Sequence, residues 1–129
     1  MLAVDTNLIV RLVTNDEPKQ VKRARQVFES DTVFVAKTVL LETEWVLRYT
    51  YQLDRDAVVH ALRSIIGLQN VALEDEDQVV RALDWFARGL DFADALHLAS
   101  CIKVRRFLTL DEKLVKRSKP LGAMEVVLA

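Results

Sequence analysis

Residues 2–7 have the sequence LAVDTN, in which a short apolar run ends at a carboxylate followed by two small hydrogen-bonding residues. A strand inside a parallel sheet has this kind of unbroken apolar sequence, and ligands in open α/β sheets bind beyond the carboxyl ends of the strands. The pattern therefore predicts a central strand that delivers Asp5 to a functional site. A helix cap at Asp5, Thr6 or Asn7 is the simpler interpretation of this stretch taken alone.

The composition is that of a compact, helix-rich protein. The 129 residues predict one domain over residues 1–129, with 51% hydrophobic and 29% charged residues. Lys and Arg (18) nearly balance Asp and Glu (19), so the net charge of −1 gives no global signature of nucleic-acid binding. A nucleic-acid site would have to be local, or would have to take positive charge from metal ions.

The cysteine content and the hydropathy indicate in which cellular compartment the protein is expected. Cys101 is the single cysteine, which excludes an intramolecular disulfide and favours a reducing environment. The sequence shows no signal-peptide pattern, and no apolar run approaches the ~18 residues that a membrane span requires. We therefore expect a cytoplasmic protein.

A helix is predicted over residues 37–51, directly after a short β-branched strand at residues 32–36. Apolar residues occupy nearly every side of this helix, so we expect it to be buried against the core or a partner. Glu42 and Glu44 lie inside it, and a charge in apolar surroundings needs a metal ion or hydrogen bonds to compensate. Helical spacing alone does not choose between the two glutamates.

Residues 91–102, with the sequence DFADALHLASCI, predict a second helix that packs centrally. Asp91 would be its N-cap and Asp94 would lie in its first turn, a spacing that also fits a capping box. The apolar neighbours of Asp94 favour an inward carboxylate, which a cap alone does not need. His97 and Cys101 have a four-residue spacing that zinc ligands can use, but a buried histidine is the simpler interpretation.

A second strand that ends in an aspartate is predicted at residues 106–111. Asp111 repeats the opening arrangement, and it also fits an N-cap of the helix that follows. Further short strands are predicted at residues 71–73 and 125–128. A helix over residues 18–30 has a basic side, for which solvent exposure and phosphate contact are both open interpretations.

Four carboxylates thus lie at comparable places, after strands, at a helix start or within an apolar helix. They are Asp5, Glu42, Asp94 and Asp111. Converging carboxylates repel one another unless a divalent cation lies between them, and Mg²⁺ and Mn²⁺ prefer oxygen ligands. Such a site can activate water and neutralise the charge of a phosphodiester. Each acid also has a local structural explanation, but if the four converge they would form a Mg²⁺ or Mn²⁺ site able to act on nucleic acid.

The motifs VDTN at residues 4–7, LE at 41–42, DFADALHLA at 91–99 and TLD at 109–111 resemble those of PIN-domain ribonucleases. The resemblance is strongest to the VapC-type toxins of toxin–antitoxin pairs, and it covers essentially the whole chain. It implies a three-layer α/β/α sandwich with a central, mainly parallel sheet of four to five strands. It also implies a homodimer, a small cognate antitoxin and Mg²⁺- or Mn²⁺-dependent endonucleolytic cleavage of RNA through metal-activated water.

By position, the resemblance assigns the family's catalytic and metal-binding acids to Asp5, Glu42, Asp94 and Asp111. It therefore favours Glu42 over Glu44. Asn7 and Thr109 match the polar residues that support the acids. The implied function is an endoribonuclease toxin.

Two other functions stay open. A phosphatase of the haloacid dehalogenase type also has an aspartate after its first strand, but it normally has a second aspartate where this chain has Asn7. In a non-catalytic α/β binding module, all of the acids would be helix caps. Basic candidates for contact with an RNA backbone are Lys19, Lys22, Arg23 and Arg48. The candidate partner surface contains Trp45 and Val46, for which core packing is the alternative.

Overall fold

The computed structural model describes residues 1–122 and 124–129. The chain forms two compact units, Met1–Glu76 and Asp77–Ala129. Helices alternate with parallel strands in both units, so the predicted α/β class is confirmed. Among the described residues, no helix is both long and apolar enough to cross a membrane.

Residues 1–76, all of which are described, contain a parallel sheet of three short strands. The strands are β1 (Leu2–Ala3), β2 (Val33–Val35) and β3 (Val71–Leu73). The helices between them are α1 (Thr6–Thr14), α2 (Pro18–Ser30), α3 (Lys37–Tyr49) and α4 (Arg55–Ile66). Proline starts α2, where its missing N–H costs nothing, and the Asp54 carboxylate caps α4 by accepting from Ala57 N.

The prediction that residues 2–7 form a central strand is wrong for this sheet. β1 has only two residues, both exposed, and it pairs in register with Val33 and Phe34 of β2. The central strand is β2, because it pairs with β1 on one side and β3 on the other. Val33 and Val35 are fully buried on one face of β2 and Phe34 is half-buried on the other, which fits a continuous apolar sequence.

The second unit contains helices and a parallel strand pair. Its elements are α5 (Glu76–Ala87), α6 (Phe92–Ser100), β4 (Arg106–Thr109), α7 (Glu112–Ser118) and β5 (Glu125–Leu128), with a 3₁₀ turn at Lys119–Leu121. β4 and β5 pair along their whole length, from Arg106 opposite Glu125 to Thr109 opposite Leu128. Phe86 and Phe92 pack edge to face, with ring centroids 5.4 Å apart, between α5 and α6.

The predicted four to five mainly parallel strands of an α/β/α fold are present. Among the described residues, the hydrogen-bonded strands form one sheet of three and one of two. The parallel orientation of the strands is as predicted.

The acidic run at residues 74–77 does more than start a helix. Glu76 begins α5, as expected for an acidic first turn. Glu74, however, accepts a hydrogen bond from the backbone N of Lys37 at 2.8 Å, and Asp75 forms a 3.0 Å ion pair with the Lys37 ammonium. These contacts fix the start of α3, the helix that carries Glu42.

Candidate active site

Asp5 is the N-cap of α1, and its carboxylate accepts a 2.8 Å hydrogen bond from the backbone N of Thr6. The cap interpretation is therefore confirmed. The Asp5 carboxylate can still accept other bonds, because an ionised carboxylate has about four lone-pair positions and the cap bond uses one. Asp5 is also exposed, so its other oxygen is open to solvent ions.

Thr6 links Asp5 to Glu42. The Thr6 hydroxyl donates a hydrogen bond to Oε1 of Glu42, while its backbone N donates to Asp5. Thr6 is only 3% exposed, so its hydroxyl needs a partner inside the protein. This bond joins the start of α1 to the middle of α3 and holds two of the predicted acids beside one residue.

The role of Thr6 was missed in the sequence, which indicated only a possible cap. The usable signal was a hydroxyl residue directly after the strand-ending aspartate. Its partner could not be identified from spacing, because Glu42 is far away along the chain.

The structure distinguishes the two glutamates of α3. Glu44 is 1% exposed, and both of its oxygens bind the guanidinium of Arg48, at 2.7 Å and 3.2 Å. Glu42 is exposed, so the expectation that its carboxylate lies in apolar surroundings is wrong. Glu44 therefore has a structural role, in an ion pair with a residue one helical turn further along α3. Glu42 is the glutamate whose carboxylate is available to a ligand beside Asp5.

α3 is not buried against the core on all of its sides, which leaves the partner alternative open. Trp45 and Tyr49 are 53% and 57% exposed, and they lie on the same helix face as Glu42. Their ring centroids are 5.1 Å apart, and the Arg48 guanidinium lies 4.6 Å from the Tyr49 centroid. Core packing therefore does not account for Trp45, which forms an exposed aromatic pair with Tyr49.

Asp94 lies in the first turn of α6, in the second unit. Asp91 is the N-cap of this helix, and its carboxylate accepts from the backbone N of Asp94 at 3.2 Å. Partial burial raises the pKa of Asp94, and the negative charges of Asp91 and Asp111 raise it further, while His97 acts in the opposite direction. Asp94 is thus a carboxylate held near two others, the electrostatic situation that a bound cation relieves.

Asp111 is the N-cap of α7 and accepts from the backbone N atoms of Lys113 and Leu114, at 2.9 Å and 3.3 Å. The Thr109 hydroxyl in turn accepts from the backbone N of Asp111 at 3.0 Å. Thr109 therefore fixes the backbone that carries the Asp111 carboxylate. This contact gives a physical reason for a hydroxyl residue at the end of β4.

The prediction of a buried histidine is wrong, because His97 is exposed and Cys101 is only half-buried. The buried residues of α6 are apolar and occupy its other faces, which leaves His97 on the solvent side. Among the described residues, no group of three or more His, Cys, Asp or Glu side chains is arranged to hold a metal ion. The predicted acids are found as two pairs, Asp5 with Glu42 in the first unit and Asp94 with Asp111 in the second.

The pairs do not fit a set of helix caps alone. Asp5, Asp91 and Asp111 each cap a helix. Glu42 lies in the interior of α3 and Asp94 lies within α6, so neither is an N-cap. Two acids therefore keep carboxylates for which capping gives no explanation.

The chain is similar to known proteins in sequence and fold. A crystal structure of Mycobacterium tuberculosis VapC20, described as a sarcin-ricin loop cleaving toxin, has 23% sequence identity and a TM-score of 0.45, with 98% of each chain covered. A search of curated proteins found no match. The model of the PIN domain matches residues 2–120. Because this match spans nearly the whole sequence, the chain belongs to the PIN-domain family.

Proposed function

We propose that this chain is a divalent-metal-dependent endoribonuclease that acts as the toxin of a toxin–antitoxin pair. The observation that carries the proposal is the connection of Asp5 and Glu42 through Thr6 within a PIN-domain chain. This connection gives a structural reason for the Glu42 carboxylate and the Thr6 hydroxyl, neither of which is explained by helix capping. Membership of the PIN family also argues against the haloacid dehalogenase alternative.

The ligands in this proposal are the carboxylates of Asp5, Glu42, Asp94 and Asp111. Their chemistry fits the metal, because an all-oxygen, anionic donor set suits Mg²⁺ or Mn²⁺. The raised pKa of Asp94 supports the fit, because neighbouring acids raise it and a nearby cation would lower it again.

When bound, a divalent cation supplies an activated water and neutralises the negative charge that develops on the phosphodiester. The chain's own residues hold the ligands. Thr6 fixes the Glu42 carboxylate through its hydroxyl, and the cap bond fixes Asp5 at the start of α1. The Asp91 carboxylate accepts from the backbone N of Asp94, and the Thr109 hydroxyl accepts from the backbone N of Asp111. These bonds fix the backbone that carries each carboxylate. Each ligand is therefore oriented by a neighbour, which reduces the cost of assembling the site.

Partner proteins belong to the same proposal. The exposed pair of Trp45 and Tyr49 supports a surface on α3 that a partner covers, since aromatic residues are enriched at such interfaces. We propose that this chain binds a small antitoxin and that two copies of it form a homodimer. A cytoplasmic location, where RNA substrates are present, completes the proposal.

Cleavage of RNA by the purified chain tests the proposed function. We expect fragments of single-stranded RNA to form in Mn²⁺ or Mg²⁺ and not in excess chelator. Asp5→Asn should abolish cleavage while it keeps the cap, because asparagine caps helices about as well as aspartate. Asp54→Asn, which changes the matching cap of α4, is the control and should cleave like the wild type. Cleavage that survives both the chelator and Asp5→Asn would contradict the proposal.

A further inference from the structure

The first unit contains a groove of about 410 Å³ between α1 and α2. Its walls are one face of each helix, because the lining residues follow helical spacing on both sides. The lining residues are Asn7, Leu8 and Arg11 from α1, and Gln20, Arg23 and Ala24 from α2. The proposed metal ligands are not among them.

The groove has the chemistry of an anion site. No acid lines it, while two guanidinium groups and two side-chain amides do. The Gln20 amide oxygen accepts from Nε of Arg11, so the amide N–H₂ group of Gln20 is left as a donor. Leu8 and Ala24 add an apolar surface that suits the uncharged part of a nucleotide.

Arg11 and Arg23 have different roles in the groove. Arg11 also binds Asp16 at 3.2 Å and the Tyr51 hydroxyl at 2.9 Å, so its charge is already compensated. Arg23 is exposed, and it has no hydrogen-bond or ion-pair partner in the part of the chain that the structure describes. Arg23 is therefore the cation that the groove offers to a ligand.

The surrounding charge points to a polyanion. α2 carries four basic residues and one acidic residue, although the whole chain has a net charge of −1. Local positive charge of this kind attracts a nucleic-acid backbone. Of the other basic candidates, Arg48 is committed to Glu44, and Lys22 lines a different cavity beside Glu29.

The groove begins next to the proposed active site. Asn7 lines it and follows Asp5 by two residues, a separation that spans at most about 7 Å. The groove therefore begins two residues along the chain from Asp5. This proximity suits the phosphate that neighbours the one being cleaved.

We propose that the α1–α2 groove binds a backbone phosphate of the RNA substrate adjacent to the scissile phosphodiester. Arg23 forms the ion pair with that phosphate, and the amides of Asn7 and Gln20 donate hydrogen bonds to it. The inference rests on the proposed ribonuclease function and names the residues that position its substrate. Arg23 is a positioning residue, since it lies outside the acids that carry out the reaction.

The test measures binding of a short single-stranded oligoribonucleotide in chelator, which prevents cleavage, over a series of salt concentrations. Arg23→Gln should weaken binding about tenfold and lower the slope of log affinity against log salt by about 0.7, the value for one lost phosphate contact. Arg25→Gln is the matched control. It removes the same charge from α2, but Arg25 lies beside Glu29 in two other cavities, so binding should change less than twofold.

Cleavage kinetics complete the test. Arg23→Gln should raise KM about tenfold and leave kcat within about twofold of the wild type, because the lost contact is made equally before and during the reaction. Equal weakening by Arg25→Gln, or no weakening by Arg23→Gln in a wild-type chain that binds and cleaves RNA, would overturn the groove proposal alone. A wild-type chain that neither binds nor cleaves RNA would overturn the proposed function and the groove proposal with it.

Discussion

The hydroxyl of Thr6 donates to the carboxylate of Glu42 and thereby connects the first helix of the chain to the third. The same residue donates its backbone N–H to Asp5. Thr6 is therefore the residue through which the first unit brings two of the proposed metal ligands together.

Thr6→Val removes this hydroxyl without changing the shape of the side chain. We expect RNA cleavage to fall at least tenfold, because a hydrogen bond to a charged group contributes about 1.5–3 kcal/mol and Glu42 loses its orientation. Thr43→Val is the matched control. Thr43 is buried in α3, the helix that carries Glu42. Its hydroxyl donates to the backbone oxygen of Val39 and not to an acid, so cleavage per folded molecule should be unchanged. Equal activity of both variants would show that Thr6 does not support catalysis.

Glu42→Gln and Glu44→Gln should separate catalysis from stability. Glu44→Gln removes the buried partner of the partly exposed Arg48, and we expect it to lower the free energy of unfolding by about 1.5 kcal/mol, the low end for a hydrogen bond to a charged group. Glu42→Gln changes an exposed side chain, so it should leave stability nearly unchanged and lower cleavage about a hundredfold. Urea unfolding and cleavage rates measure the two effects. The reverse assignment would mean that Glu44 is the functional glutamate.

The raised pKa of Asp94 predicts a pH dependence of stability without metal. The pKa is higher in the folded chain than in the unfolded chain, where it is about 3.9. Between these two values the folded state binds more protons, so stability falls as pH rises through that interval and stays lower above it. Asp94→Asn should therefore raise the melting temperature at about pH 7 in chelator, and the gain should disappear below about pH 4.

Asp16 provides the control for this experiment. A hydrogen bond from Thr14 lowers the pKa of Asp16, a second bond comes from Tyr51, and so Asp16→Asn should lower the melting temperature at the same pH. A fall in melting temperature for Asp94→Asn would indicate that Asp94 has a stabilising contact in the folded chain.

Asp111 has a cap role and a proposed metal role that two substitutions can separate. Asp111→Asn keeps the cap of α7, whereas Asp111→Ala loses it and should cost about 1 kcal/mol of stability. Both variants remove a carboxylate and should lower metal-dependent cleavage by a similar factor of at least ten. Full activity of Asp111→Asn would assign Asp111 to capping alone.

The sequence was informative where a residue's role depends on its neighbours along the chain. The caps at Asp91 and Asp111 and the strand at β2 follow from local rules, since each concerns a few consecutive residues. Family resemblance favours Glu42 over Glu44, and the ion pair of Glu44 with Arg48 is consistent with that choice.

The errors concern tertiary contacts. Trp45 and His97 are apolar or weakly polar residues in apolar helices, and their exposure depends on where other elements pack. The Thr6–Glu42 bond and the α1–α2 groove likewise form between elements that are distant in sequence. No periodicity within one helix contains that information.

The proposal that Asp5 and Asp94 are ligands of a divalent cation is tested most directly by calorimetric titration of the metal-free chain with Mn²⁺. The wild type should bind Mn²⁺, and Asp5→Asn and Asp94→Asn should each weaken that binding at least tenfold, about 1.4 kcal/mol, because each removes one charged oxygen ligand. Wild-type Mn²⁺ affinity in either variant would contradict the proposal.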